Sequence, residues 1–114
     1  MSPRPPHPPI LKHAAELLAG YDVMFCDVWG VLHDGNHAFA AACDALLRFK
    51  AAGGTVILVS NAPVPAEGVA AMLDFRGVPR NAYDAIVASG ELALRHIAER
   101  GYKRIFCIGP ADRD

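Results

Sequence analysis

Concentrated positive charge is missing from this chain. Its 11 Lys and Arg stand against 12 Asp and Glu, giving a net charge of −1, and no stretch gathers the basic ones together. Nucleic acid and an anionic membrane surface are therefore not expected as main partners, because both call for a basic patch. No run of 18 or more apolar residues occurs and the N-terminus carries no apolar signal segment, so no membrane partner is expected either. The three cysteines, Cys26, Cys43 and Cys107, form no Cys-x-x-Cys pair. Each lies in an apolar stretch, which predicts buried thiols in a reducing compartment. A soluble, cytoplasmic protein is expected.

Nucleotide signatures are absent as well. Glycines number 10, yet neither G-x-G-x-x-G nor G-x-x-x-x-G-K-[ST] can be written through them, which disfavours a dinucleotide fold and a P-loop enzyme. No Ser-His-Asp or Cys-His arrangement is recognisable. His7, His13, His37 and His96 lack the spacing of metal ligands.

What the chain does have is hydrophobic content, 53% over 114 residues, enough for one small domain with a core. Residues 1–20 read as a proline-rich tail and a leading helix over Ile10 to Ala19. Val23 to Val28 is predicted as a strand, and Gly30 to His37 as a turn-rich loop. A helix follows with Phe39, Ala42, Cys43, Leu46 and Leu47 on one face, stopped by Gly53 and Gly54. Thr55 to Val59 is a continuous aliphatic run, the pattern of a strand covered on both faces. Pro65 starts a helix with Val69, Met72, Leu73 and Phe75 as its apolar positions, ended by Gly77 and Pro79. Ala85 to Ala88 is a third strand, Ser89 the N-cap of a helix reaching Gly101, and Arg104 to Ile108 a fourth strand. Such alternation predicts an α/β fold, a Rossmann-like parallel sheet with flanking helices. The chain stops at Asp114, soon after a Gly109-Pro110 turn, and a truncated chain is expected.

Chemistry gathers at two strand ends. Asp27 follows the apolar Met24-Phe25-Cys26, and a carboxylate is costly inside a strand, so it should emerge at the C-terminal end, where ligands collect in parallel sheets. Alternation turns Cys26 to the opposite face. A right-handed crossover places the next strand parallel, about 5 Å away if adjacent, so that Ser60 and Asn61 emerge from the same edge. A carboxylate, a hydroxyl, an amide and free backbone N–H groups suit a phosphate, with magnesium or covalent attack beside it. The plainer reading makes Asp27 a turn cap and Ser60-Asn61 ordinary turn residues. His33 and Asp34 read as a solvated turn.

These residues resemble a family. Phe25-Cys26-Asp27-Val28-Trp29-Gly30-Val31-Leu32 resembles the first motif, D-x-D-G-[TV], of the haloacid dehalogenase-like (HAD) hydrolases. Ile57-Leu58-Val59-Ser60-Asn61 resembles the second. Tyr83 to Glu91 is similar to the segment leading into the cap of the class IIA branch. The resemblance implies residues 21–88 as the N-terminal half of a HAD core and 89–114 as the beginning of an α/β cap. It implies magnesium-dependent phosphate-ester hydrolysis of a phosphorylated small molecule. Asp27 would be the nucleophile that becomes an aspartyl-phosphate, and would bind magnesium with the backbone carbonyl of Trp29. Ser60 and Asn61 would hold the phosphoryl group, with Gly30 in the flap beside it.

Two departures follow. The family's second Asp, a general acid worth about 10²–10⁴-fold, is Trp29 here, and an indole transfers no proton at neutral pH. Turnover should be slow, limited to good leaving groups, or dependent on another residue, His33 being the nearest titratable one. The later Lys and magnesium-binding Asp motifs have no counterpart, since only Asp74, Asp84, Asp112 and Asp114 follow Asn61. The fragment is therefore expected to be inactive and, with an open sheet edge, to self-associate. The alternative is a catalytically degenerate domain that binds a phosphorylated ligand or a protein partner.

Overall fold

A computed structural model describes residues 2–4 and 6–109. Pro110, Asp112 and Asp114, named above, lie outside the described residues. The elements run α1 (Ala15–Leu18), β1 (Val23–Cys26), α2 (Ala40–Ala51), β2 (Thr55–Ser60), α3 (Ala66–Arg76), a 3₁₀ turn (Arg80–Ala82), β3 (Ala85–Ala88) and α4 (Ser89–Arg100). All three strands are parallel in the order β1-β2-β3. The register runs from Val23 opposite Thr55 to Cys26 opposite Leu58, and from Ile57 opposite Ala85 to Ser60 opposite Ala88. Each strand thus delivers its C-terminal residue to one edge, and the α/β, Rossmann-like reading is what the chain adopts.

The core lies between the sheet and helices α2 and α3. Strand residues Cys26, Val56, Leu58 and Ala88 bury against Cys43, Leu46 and Phe49 of α2 and Val69 and Leu73 of α3. Gly54 permits the tight turn into β2, because a Cβ there would run into the Phe49 ring. Asp84 fastens the entrance of the sheet. Its Oδ2 accepts the Val56 N–H at 2.8 Å, and its Oδ1 meets Lys50 Nζ of α2 at 3.1 Å. Those two contacts, the backbone hydrogen bond first and the lysine second, lower the Asp84 pKa below the usual aspartate value.

Several expectations are corrected. β2 is covered on one face only: Val56 and Leu58 are buried, whereas Val59 is exposed and Ile57 half-buried, because no described element packs closely over the other face. The leading helix shrinks to one turn with no buried residue, since so short a helix holds only through packing. Phe75 points outward and is 90% exposed, the buried residues of α3 being Val69, Ala70 and Leu73. The fourth strand, Arg104 to Ile108, does not form. A strand exists only where a neighbour takes its backbone groups, and this segment pairs with none among the described residues, leaving Phe106 90% and Ile108 93% exposed. Cys107 is exposed for the same reason, while Cys26 and Cys43 are buried as free thiols. Ser89 is the first residue of α4 and not its N-cap, a position taken by Ala88. Among the described residues no helix is long and apolar enough to cross a membrane.

Candidate active site at the C-terminal edge of the sheet

Asp27 lies one residue beyond β1, exposed at the edge, while Cys26 before it is buried. The carboxylate accepts the Val28 N–H through Oδ1 at 2.8 Å. One oxygen is thereby oriented and Oδ2 remains available to attack or to ligate. Burial, then the neighbouring Asp27 charge and Cys43, push the Cys26 thiol up. Cys26 therefore stays a thiol, and its Sγ donates to the Asp27 carbonyl at 3.2 Å.

The loop after Asp27 is folded tightly on itself. Gly30 takes a positive φ of 79°, a region favourable only to glycine, and its N–H donates to the His33 carbonyl at 2.8 Å. Its amide is thus engaged in the turn. Asp34 Oδ1 accepts the Asn36 and His37 N–H groups, each at 2.8 Å, which hold its pKa down. Arg76 of α3 clamps the turn by donating from Nε to the Gly35 carbonyl at 3.0 Å. The Trp29 indole lies against Gly35, where a Cβ would stand 2.8 Å from its ring, and meets the His33 ring edge-on at 5.2 Å.

His33 is corrected from a solvated turn residue to a buried one, 2% exposed, because the loop folds over it. Its Nδ1 accepts the Gly35 N–H at 2.9 Å, which puts the remaining proton on Nε2. Burial first, and Arg76 second, lower its pKa against the opposing pull of Asp34. A neutral imidazole held in that tautomer donates a hydrogen bond but does not act as an acid at neutral pH.

On β2, Ser60 Oγ accepts the Ala62 N–H at 3.1 Å, leaving its own O–H free to donate outward. Asn61 is exposed beside it. A cavity of about 300 Å³ has Trp29, His33, Ser60, Asn61, Pro63 and Met72 among its walls. The geometry thus brings Trp29 and the Ser60-Asn61 pair together, with Asp27 at the same edge but outside the cavity wall.

Among the described residues no cluster of three or more His, Cys, Asp or Glu side chains gathers. Magnesium takes six oxygens and commonly keeps several waters beside one or two carboxylates and a phosphate. One carboxylate and one carbonyl, Asp27 and Trp29, fit that minimal protein share.

A family model described as haloacid dehalogenase-like hydrolase matches residues 24–113. The chain belongs to that family. Assignment to class IIA is consistent with the match. A solved hydrolase of the haloacid dehalogenase-like family from Brucella suis 1330 is 48% identical with a TM-score of 0.74, covering 79% of this chain and 33% of that one. The chain thus spans about a third of that hydrolase's length. None of the curated proteins compared with the chain matches it.

In this HAD-like chain the residues that sequence reasoning missed are those that support the two strand ends. Gly35 and Arg76 shape the Trp29 loop, and Gly90 and Glu91 reach the loop after Ser60. No local signal marked the last pair, because the partners of Gly90 and Glu91 lie near residues 62–66, far away in sequence.

Proposed function

We propose that this chain contributes the nucleophile and part of the phosphate site of a HAD-type phosphatase acting on a phosphorylated small molecule. The observation that carries the reading is Asp27: exposed at the C-terminal edge, with one carboxylate oxygen oriented by Val28 N–H and the other unengaged among the described residues. Oδ2 attacks phosphorus, the P–O ester bond breaks, and its electron pair leaves with the alcohol oxygen. Water then hydrolyses the aspartyl-phosphate, releasing phosphate and restoring the carboxylate. Ser60 O–H and the Asn61 amide donate to the phosphoryl oxygens and fix their direction. Magnesium, when bound by Asp27 and the Trp29 carbonyl, supplies the charge that lets a carboxylate approach a dianion.

With Trp29 in place of the acid, the leaving oxygen takes its proton from solvent, so good leaving groups are favoured. Residues 1–114 alone are expected to lack turnover, because the lysine and further aspartates that the family resemblance calls for have no counterpart after Asn61. Free thiols and the absence of a basic patch support a cytoplasmic setting.

The test is covalent trapping. The whole protein treated with beryllium fluoride and magnesium should show an adduct at Asp27, and Asp27→Asn should abolish both adduct and hydrolysis. Hydrolysis that survives in Asp27→Asn would sink the reading. Trp29→Asp should raise turnover, by up to about 10²–10⁴-fold if the acid is the only defect.

A second reading is favoured by the loop itself. The Trp29 indole is packed on Gly35 and against His33, which builds a wall where an acid would work. A degenerate domain that binds a phosphorylated ligand or a protein partner would then bind phosphate with no adduct and no gain from Trp29→Asp.

A further inference from the structure

The loop that follows Ser60 and Asn61 is held from outside its own element. The Ala62 carbonyl accepts two hydrogen bonds from the root of α4, Ser89 Oγ at 3.0 Å and Gly90 N–H at 3.1 Å. The Ala62 N–H is already committed to Ser60 Oγ at 3.1 Å, so both polar groups of that peptide position are fixed. Four residues further along, Glu91 Oε2 accepts the N–H of Ala66, the first residue of α3, at 3.1 Å. The α3 N-cap is Pro65, which supplies no side-chain bond. A helix start leaves four N–H groups without intrahelical partners, and Glu91 satisfies one of them from another helix. Gly90 makes the approach possible, since a Cβ at that position would run into the backbone of Val64.

We infer that Ser89, Gly90 and Glu91 form a clasp that positions the Ser60-Asn61 loop, so that phosphate affinity at Ser60 and Asn61 depends on the root of α4. The inference rests on the proposed role of Ser60 and Asn61. The three are positioning residues and touch no substrate. Glu91 also places a negative charge at the α3 N-terminus, where an anion would otherwise be favoured. Hydrogen bonding and charge therefore make opposite demands at this position. If Glu91 acts by holding the loop, its loss weakens phosphate binding; if it acts only through its charge, its loss strengthens phosphate binding.

Titration of the whole protein with inorganic phosphate separates these. Glu91→Ala should weaken phosphate binding about three- to tenfold, the worth of one hydrogen bond of ordinary strength, and Glu91→Gln, which keeps an acceptor oxygen, should restore it. Ser89→Ala leaves the Gly90 bond in place and should give a smaller loss in the same direction, which preserves the test if Glu91→Ala does not fold. Unchanged or tighter binding in Glu91→Ala overturns the clasp, as does a melting-temperature loss with affinity intact. Asn61→Ala is the reference. If it weakens phosphate binding and Glu91→Ala does not, the clasp falls and the functional reading stands. If Asn61→Ala changes nothing, or the unsubstituted protein binds no phosphate, both fall.

Discussion

The two faces of the sheet are built from the same kinds of residue and end in opposite surroundings. On one face Val56 and Leu58 are wholly buried beneath α2 and α3, with Cys26 and Ala88 beside them. On the other, Val23, Val59 and Val87 are exposed and Phe25 is 74% exposed. Strand alternation places each set on its face, but hydrophobicity alone does not say which face receives a helix. Coverage is decided by where the crossovers run, and both crossovers, through α2 and α3, lie on the same side. Contiguous apolar surface of the second kind marks an interaction site or an association hazard.

The largest expected effect comes from the covered face. Leu58→Ala should cost about 2–5 kcal/mol, the range for emptying a filled core site, whereas its neighbour Val59→Ala should stay within about 0.5 kcal/mol, as surface changes do. Denaturant unfolding of the pair checks this, and equal losses would mean that the second face is buried in solution. Next, Phe25→Lys should leave unfolding nearly unchanged yet reduce self-association, read by sedimentation. Association that persists with a lysine at that position would place the contact elsewhere, such as along the exposed Phe106 segment.

The smallest effect concerns acid. Asp84 ties the Val56 N–H and Lys50 of α2 together, and its folded pKa is lowered. The folded state therefore binds this proton less readily than the unfolded chain. The resulting stability is fully present above the ordinary aspartate value of about 3.9 and is lost as pH falls through the lower folded value. Melting curves of Asp84→Asn should be flatter over that acid window than those of the unsubstituted protein, and an identical pH profile would remove Asp84 from the account.

Much of the site was legible because it depends on local signals. A lone acid after Phe25-Cys26 and a polar pair after Val59 mark where strands leave the sheet, and parallel pairing brings those ends to one edge. Sequence pattern did not show that Thr55 to Ser60 would be covered on one side only, since a run apolar on both faces has the same letters whether or not a second layer is present. Nor did it show that Arg104 to Ile108 would find no partner, because strand pairing is a property of the neighbour. His33 was misjudged for a related reason: Asp34-Gly35-Asn36 does form a turn, but the turn folds back and buries the histidine. Glu91 was out of reach, as its partner Ala66 lies on another helix.

The contact between Trp29 and Gly35 constrains position 35 twice. Its φ of 101° favours a residue without a Cβ, and the indole independently occupies the space a Cβ would take. Exchanging Trp29 for a smaller residue lifts the second restriction and leaves the first. Position 35 should thus stay glycine in variants that regain an acid at position 29, while the cavity beside Ser60 loses an aromatic wall. Chemistry and shape at this edge would change in a single substitution.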